Sequence, residues 1–213
     1  MSSSADSPED SPSVPLGPRF EAALILAAQL HQQQLRKVSG TPYVSHLLSV
    51  AALVIEAGGS EDEAIAGLLH DAVEDQGGAP TLERIRQQFG ADVAGIVADC
   101  SDADVIPKPP WQARKQRHIE HVRGASRSVR LVTCADKLHN ARCVVLDLRV
   151  EGERVWERFR GGRDGSLWYY REMTAALSTA GDVPAALLDE LLRTVQQMHE
   201  LAGESWTLPG NQA

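Results

Sequence analysis

The chain has 213 residues, 43% of them hydrophobic, and a formal net charge of −8 at pH 7, so it is long enough to bury one core of ordinary size. The negative charge argues against binding to DNA or RNA, because such binding depends on neutralising phosphates. With no run of 18 apolar residues and no signal peptide, we predict a cytoplasmic protein that has no membrane partner.

The N-terminal quarter is predicted to be a disordered tail followed by two helices. Residues 1–17 are rich in Ser, Pro and acidic residues and hold too few apolar groups to offset the entropy of ordering. Apolar residues then recur at helical spacing from Pro18 to about Gln34. The second helix is predicted to begin at Thr41 and Pro42, which suit its N-cap and first position, and it carries His46. A lone histidine there is more often a core residue than a ligand.

The densest group of ligand-type side chains follows: His70, Asp71, Glu74 and Asp75. On one continuous helix these four groups form a patch on one side, since residues four apart are stacked. Three carboxylates so close together repel one another, so the cluster is stable only beside a cation, a substrate or bulk water. We interpret the patch as a metal site. The alternative is a solvated helix end.

The remainder of the chain is predicted to be helical, with no strand. Alternating β-branched runs are absent, and every long periodic segment has a period of 3.6 residues, so the predicted fold class is all-α. We predict one domain over residues 18–205 and a C-terminal tail over 206–213. Tyr169 and Tyr170 are expected to close the helical bundle by packing, with base stacking as the alternative. Three cysteines without C-x-x-C spacing are expected to be small core residues: Cys100, Cys134 and Cys143.

A local basic region stands out against the acidic composition. From Lys108 to Arg130 there are seven basic residues and one acid, Glu120. Such a region suits a small polyanion, and a solvated helix face is an equally good explanation.

Two imidazoles and two carboxylates on three predicted helices form a candidate ligand set: His46, His70, Asp71 and Asp136. This donor set suits a divalent ion such as Mn²⁺, Fe²⁺, Zn²⁺ or Co²⁺, and its hard oxygen ligands favour Mn²⁺. The site forms only if a bundle brings the three helices together. Glu74 and Asp75, one turn beyond the doublet, are placed to accept a proton from water. For Asp136 the alternative is a surface ion pair with Lys137 or Arg142.

Three separated motifs resemble the HD-domain phosphohydrolases, and more closely the small stand-alone alarmone hydrolases and the hydrolase domain of RelA/SpoT-type enzymes. The motifs are Arg36-Lys37-x-Ser39-Gly40-x-Pro42-Tyr43-x-x-His46, Leu68-Leu69-His70-Asp71-x-x-Glu74-Asp75 and Ala135-Asp136-Lys137-Leu138-His139-Asn140-x-Arg142. Their order and spacing make the resemblance specific, and it covers roughly residues 20–200.

The resemblance implies an HD-domain helical bundle that hydrolyses (p)ppGpp at its 3′ position with Mn²⁺, giving GDP or GTP and pyrophosphate. It implies that His46, His70, Asp71 and Asp136 hold the metal and that Glu74 and Asp75 are the catalytic acids. It also implies substrate-binding roles for Arg36, Lys37, Ser39, Lys137, Asn140 and, less directly, Arg142. The Lys108–Arg130 region is then expected near the phosphates.

Two positions depart from the family pattern. Leu47 replaces a common proline after the first histidine, and Thr133 stands where many long relatives have lysine. We expect a hydrolase without a synthetase domain. Two other functions remain open: an HD phosphohydrolase acting on a nucleoside monophosphate or on the 2′-phosphate of NADPH, and a nucleotide or metal binder without catalysis.

Overall fold

Helices make up the regular structure of this computed structural model, which describes residues 15–37, 39–101 and 109–206. The all-α prediction is therefore confirmed, since the described residues contain no strand, only an isolated bridge. The helices are α1 (Pro18–Leu30), α2 (Val44–Glu56), α3 (Glu61–Leu69), α4 (Ala72–Asp75), α5 (Ala79–Phe89), α6 (Ala91–Cys100), α7 (Trp111–Gly124), α8 (Arg127–Glu151), a 3₁₀ helix (Gly152–Arg158), α9 (Gly162–Ala180) and α10 (Ala185–Leu201). The predicted tails fall almost wholly outside the described residues. None of the described helices has the length and apolarity to cross a membrane.

Helix α3 is the centre of the bundle. Its start is a capping box, in which the Ser60 hydroxyl accepts from the Glu63 amide at 3.2 Å and the Glu63 carboxylate accepts from the Ser60 amide at 2.7 Å. Every residue from 63 to 69 is buried, and the helix packs against α1, α2, α6 and α8. Gly67 lets α2 come close, since a Cβ atom there would lie 3.3 Å from the Ala51 Cα.

The predicted continuous helix through residues 70–75 is wrong, because the chain turns at the His70–Asp71 doublet. Helix α3 ends at Leu69, and α4 begins only at Ala72. The His70 imidazole donates from Nδ1 to the Gly67 carbonyl at 2.8 Å. This bond satisfies one of the carbonyls that have no amide donor in the last turn of a helix. Gly77 then has a φ of 117° and Gly78 one of 63°, which lets the chain reverse into α5.

The second helix also begins later than predicted, at Val44. Pro42 instead forms the isolated bridge with Leu35. The Arg36 amide donates to the Thr41 carbonyl at 2.8 Å, and the Tyr43 amide donates to the Gln34 carbonyl at 2.8 Å. These bonds join the two sides of a loop beside the start of α2, and the described residues of this loop are 36, 37 and 39–41.

Helix α8 is the longest described helix, with 25 residues, and it packs against α2, α3, α6 and α10. The Ser126 hydroxyl caps it by accepting from the Val129 amide at 3.4 Å. Helices α9 and α10 close the bundle, and α7 packs on α9. Tyr169 and Tyr170 are buried in α9, and both also line the cleft described below.

Candidate active site

Four predicted ligand residues meet where α2, α8 and the turn after α3 come together. The His46 Nε2 atom lies 3.2 Å from Asp136 Oδ1 and 3.6 Å from Asp71 Oδ2. The His70 Nε2 atom lies 3.0 Å from Asp71 Oδ2 and 3.7 Å from Asp136 Oδ1. Residues separated by as many as 90 positions in the sequence thus form one cluster.

The cluster fits a divalent metal ion. His46, His70 and Asp136 are all buried, and they offer ligand atoms that lie within 4.8 Å of one another. The Nε2 atoms of both histidines are buried without a hydrogen-bond partner. Two such nitrogens facing two carboxylates form the imidazole and oxygen donor set that borderline divalent ions accept.

The carboxyls of the cluster are held in the charged form that binding a cation requires. Burial by itself would raise the pKa of Asp71, but the charge of His70 and the close approach of both imidazoles hold that pKa well below its usual range. Burial opposes ionisation of Asp136 as well, and Lys137 together with the histidines holds its pKa well below the usual range. Both carboxylates are therefore ionised at neutral pH.

A second layer of side chains contacts the ligand residues. The Tyr43 hydroxyl donates to Asp71 Oδ2 at 2.5 Å. The Nδ1 atoms of His46 and His139 lie 2.8 Å apart, and burial lowers the pKa of His139 to about 4. Both residues lie inside the quoted motifs. Tyr43 precedes His46 by three residues, and His139 follows Asp136 by three. Their sequence positions alone indicated no role for either.

Helix α8 and the loop over residues 36–41 meet beside Asp136. Lys137 Nζ donates to Asp136 Oδ2 at 2.6 Å, and Asn140 Nδ2 donates to Asp136 Oδ1 at 2.5 Å. The Arg36 guanidinium donates to Asn140 Oδ1 at 2.9 Å. Asp136 therefore has the ion pair with Lys137 that the alternative required, but it is buried and also faces the two histidines.

Helix α4 places Glu74 and Asp75 at the edge of the cluster. Glu74 is half-buried, with its carboxylate 4.0 Å from the Arg114 guanidinium. Asp75 is exposed and accepts from the Gln34 amide at 2.8 Å. Partial burial raises the pKa of Asp75, while the Gln34 hydrogen bond opposes this and the neighbouring carboxylates add to it.

The cluster opens into a cleft of about 870 Å³. Seven basic residues line it: Arg36, Lys37, Arg114, Lys115, Lys137, Arg158 and Arg160. The predicted loop residue Ser39 and the predicted acids Glu74 and Asp75 line it too, as does Thr133. The ammonium groups of Lys115 and Lys137 lie 4.9 and 5.7 Å from the centre of the Tyr169 ring. Arg158 is the last residue of the 3₁₀ helix and Arg160 lies just beyond it; no sequence pattern indicated that either would reach the cleft.

The predicted basic region divides between the cleft and the outer surface. Of its described residues, Arg114 and Lys115 line the cleft, and Lys108 lies outside the described ranges. Arg117 is exposed and does not line the cleft. Three arginines pair with acids outside the cleft: Arg123 with Glu172 at 3.9 Å, Arg127 with Glu63 at 3.0 Å, and Arg130 with Asp182. The expectation that the whole region faces phosphates is therefore wrong for these three arginines.

Two further predictions are corrected by their positions. Arg142 pairs with Glu190 at 3.3 Å and does not line the cleft. Cys134 is buried in the core as expected, but Cys100 and Cys143 are only half-buried and line the cleft.

An all-α bundle that brings two histidines and two aspartates to one buried point defines an HD-domain protein. The chain belongs to that family, whose model "HD domain" matches residues 23–167. Within the family, the chain is similar to the guanosine-3′,5′-bis(diphosphate) 3′-pyrophosphohydrolases named MESH1. It is 43% identical to the Xenopus tropicalis protein over 130 residues, covering 57% of this chain and 70% of that protein. It is 33% identical to the Drosophila melanogaster protein over 178 residues, covering 82% and 93%.

Two solved structures share the fold. One is described as a metazoan ortholog of SpoT that hydrolyses ppGpp, with 32% identity and a TM-score of 0.68 over 83% of this chain and 95% of that one. The other is lmo0812 from Listeria monocytogenes EGD-e, with 34% identity and a TM-score of 0.64 over 73% and 99%.

Proposed function

We propose that the protein is a metal-dependent phosphohydrolase that cleaves (p)ppGpp at its 3′ position, releasing pyrophosphate and GDP or GTP. The observation that carries the proposal is the meeting of His46, His70, Asp71 and Asp136 in a cleft lined by basic residues. The choice of (p)ppGpp as the substrate rests on the activity for which its relatives are named.

The four ligand residues would hold one divalent ion, for which we propose Mn²⁺ because half of the donor set is carboxylate. When bound, such an ion polarises a phosphoryl group and lowers the pKa of water. The side chains around the ligands keep them in place. Tyr43 supports Asp71, and Lys137 and Asn140 support Asp136.

Glu74 and Asp75 are proposed to take the proton from the attacking water. Both carboxylates line the cleft and lie one turn beyond the doublet, and a general base must be within reach of the proton that it removes. The hydrogen bond from Gln34 orients Asp75. The raised pKa of Asp75 favours proton uptake, since it increases the basicity of the ionised form.

The nucleotide is proposed to lie along the basic wall of the cleft. Arg36, Lys37 and Ser39 belong to the loop at one end, and Lys137 and Asn140 belong to α8. The cleft is large enough for a nucleotide, and its basic residues match the charge of two phosphate chains. Arg142 is left out of this proposal because it pairs with Glu190 away from the cleft.

Product analysis tests the proposal. The full chain is loaded with Mn²⁺ and incubated separately with ppGpp, pppGpp, NADPH and GMP, and pyrophosphate and orthophosphate are measured. We expect pyrophosphate from the first two, its loss in Asp71→Ala, and its retention in Asp189→Ala, a control on the exposed side of α10. Orthophosphate from GMP or NADPH alone would identify a different HD phosphohydrolase. Binding without turnover would identify a nucleotide binder.

A further inference from the structure

The two histidines of the metal site have different partners for their second ring nitrogen. A neutral imidazole that offers Nε2 to a metal carries its proton on Nδ1. In His70 this N–H donates a hydrogen bond to the backbone carbonyl of Gly67 at 2.8 Å. His46 instead faces the ring of His139, with 2.8 Å between the two Nδ1 atoms.

Among the described residues, His46 Nδ1 has no hydrogen bond to a backbone carbonyl, and its partner is the ring of His139. His46 lies in the first turn of α2, where its amide donates to the Tyr43 carbonyl at 2.9 Å while its Nδ1 atom contacts the ring of His139. His70 differs because it lies at the end of α3, where carbonyls lack helical donors. In this structure the acceptor for His46 Nδ1 comes from another helix, α8.

The proton count at the contact determines the form of both rings. Two ring nitrogens form a hydrogen bond only if one carries a hydrogen and the other a lone pair. Because His46 keeps its Nε2 lone pair for the metal, its Nδ1 donates and His139 Nδ1 accepts. The neutral His139 ring then carries its hydrogen on Nε2, which lies 3.9 Å from Cys143 Sγ.

We propose that His139 is a positioning residue that fixes the tautomer and the orientation of His46 as a metal ligand. His139 does not line the cleft, although Asn140 and Cys143 do, so its effect passes through His46. It follows Asp136 by three residues on α8, and one turn of that helix thus supplies one ligand and orients another. This inference rests on the metal centre of the proposed function, but not on its substrate.

Metal affinity in matched variants tests the role of His139. In the full chain, His139→Phe keeps a ring but removes the acceptor, while His139→Gln keeps an acceptor oxygen. His121→Phe is the control, because His121 is exposed on α7. We expect the dissociation constant for Mn²⁺, measured by titration without nucleotide, to rise about 10- to 100-fold in His139→Phe. His139→Gln should recover most of the affinity, and His121→Phe should bind as the unmodified chain does. Equal affinity in His139→Phe and the unmodified chain would overturn the proposal.

The tautomers provide a second test that needs no variant to fold and no activity. Long-range ¹H–¹⁵N correlation spectra of the chain loaded with Zn²⁺, a diamagnetic ion that accepts the same donor set, distinguish hydrogens on Nδ1 and Nε2. We expect His46 to carry its hydrogen on Nδ1 and His139 to carry its hydrogen on Nε2. A spectrum with His46 protonated only on Nε2 would contradict the inference. Because neither test contains a nucleotide, failure to hydrolyse ppGpp would count against the proposed substrate and leave these results intact.

Discussion

At the scale of single residues, the roles that we propose separate holding a metal from moving a proton. The proposed ligand carboxylates Asp71 and Asp136 have pKa values held well below the usual range by nearby positive charges and hydrogen bonds, so they remain ionised. Asp75, on the exposed side, has a raised pKa. Carboxylates a few residues apart thus differ in the property that determines whether a group binds a cation or accepts a proton.

The division of roles predicts the effect of Glu74→Gln. This change keeps the size of the side chain but removes its basicity, so we expect kcat for ppGpp hydrolysis to fall by about 10²- to 10⁴-fold. The affinity for Mn²⁺ should stay unchanged, since Glu74 lies outside the ligand set. Steady-state kinetics and metal titration measure the two effects. Glu83→Gln on the exposed face of α5 is the control, and full activity in Glu74→Gln would remove Glu74 from the mechanism.

At the scale of the elements, the site depends on how closely α2 approaches α3. Helix α2 carries His46, and His70 directly follows α3. The two helices come close at Gly67 of α3, which has no side chain. A Cβ atom at Gly67 would lie 3.3 Å from the Ala51 Cα and 3.5 Å from a Val54 methyl. A contact with backbone of this kind is relieved only by moving one helix.

We therefore expect Gly67→Ala to destabilise the fold by about 1–3 kcal/mol, as overpacking commonly does. Gly95→Ala in α6 is the matched control, because nothing lies within 4 Å of a Cβ atom there. That change should stabilise the fold by about 0.4–1 kcal/mol through the unfolded chain. Urea unfolding of the metal-free variants gives both values. Equal stability in the two variants would show that α2 does not pack as closely as described.

An ion pair joins α8 to the turn between α9 and α10. The Arg130 guanidinium donates to both carboxylate oxygens of Asp182, and this hydrogen bonding lowers the pKa of Asp182 from its usual value. A carboxyl whose pKa is lower in the folded state adds stability above its unfolded pKa, and that stability is lost as the pH falls through the folded pKa.

Because of this ion pair, the loss of stability in Asp182→Asn should depend on pH. We expect the variant to be less stable than the unmodified chain near pH 6, with the difference shrinking as the pH is lowered to about 3. Thermal melting of both chains across this range measures the difference. A gap that stays constant with pH would mean that the charge of Asp182 does not contribute, and Asp189→Asn on the surface of α10 provides the exposed control.

At the scale of the whole molecule, a metal ion would link parts of the chain that lie far apart in the sequence. Its ligands come from α2, from the turn between α3 and α4, and from α8. The unfolded chain does not hold these residues together. An ion that binds only the folded state stabilises it by an amount that grows with concentration.

Metal binding should therefore raise the melting temperature of the chain. At a concentration of about 100 times the dissociation constant, the expected gain is about 2.7 kcal/mol. Differential scanning calorimetry with Mn²⁺ and with a chelator measures the shift. The shift should disappear in Asp71→Ala and persist in Asp189→Ala, and a shift of equal size in both variants would place the ion elsewhere.

Much of this molecule follows from local patterns. The 3.6-residue period predicts the all-α fold, and the residue order in the three motifs identifies the residues that meet at the centre. Local chemistry also places the capping box at Ser60, because its bonds join residues three apart. Local chemistry predicts helix boundaries less well where several local signals compete. The break at His70 and the late start of α2 arise from a side-chain bond and from a closed loop, which helical periodicity does not describe.

By itself, the sequence determined the fold class, the family resemblance and the four candidate ligands, because residue type and short-range spacing encode them. Only the tertiary structure decided which other residues reach the site. Packing turned Arg123, Arg127 and Arg130 toward acids outside the cleft and brought in Arg158 and Arg160. It also placed His139 against His46, 93 positions away. Such contacts depend on how helices distant in sequence pack together, and no local pattern contains that information.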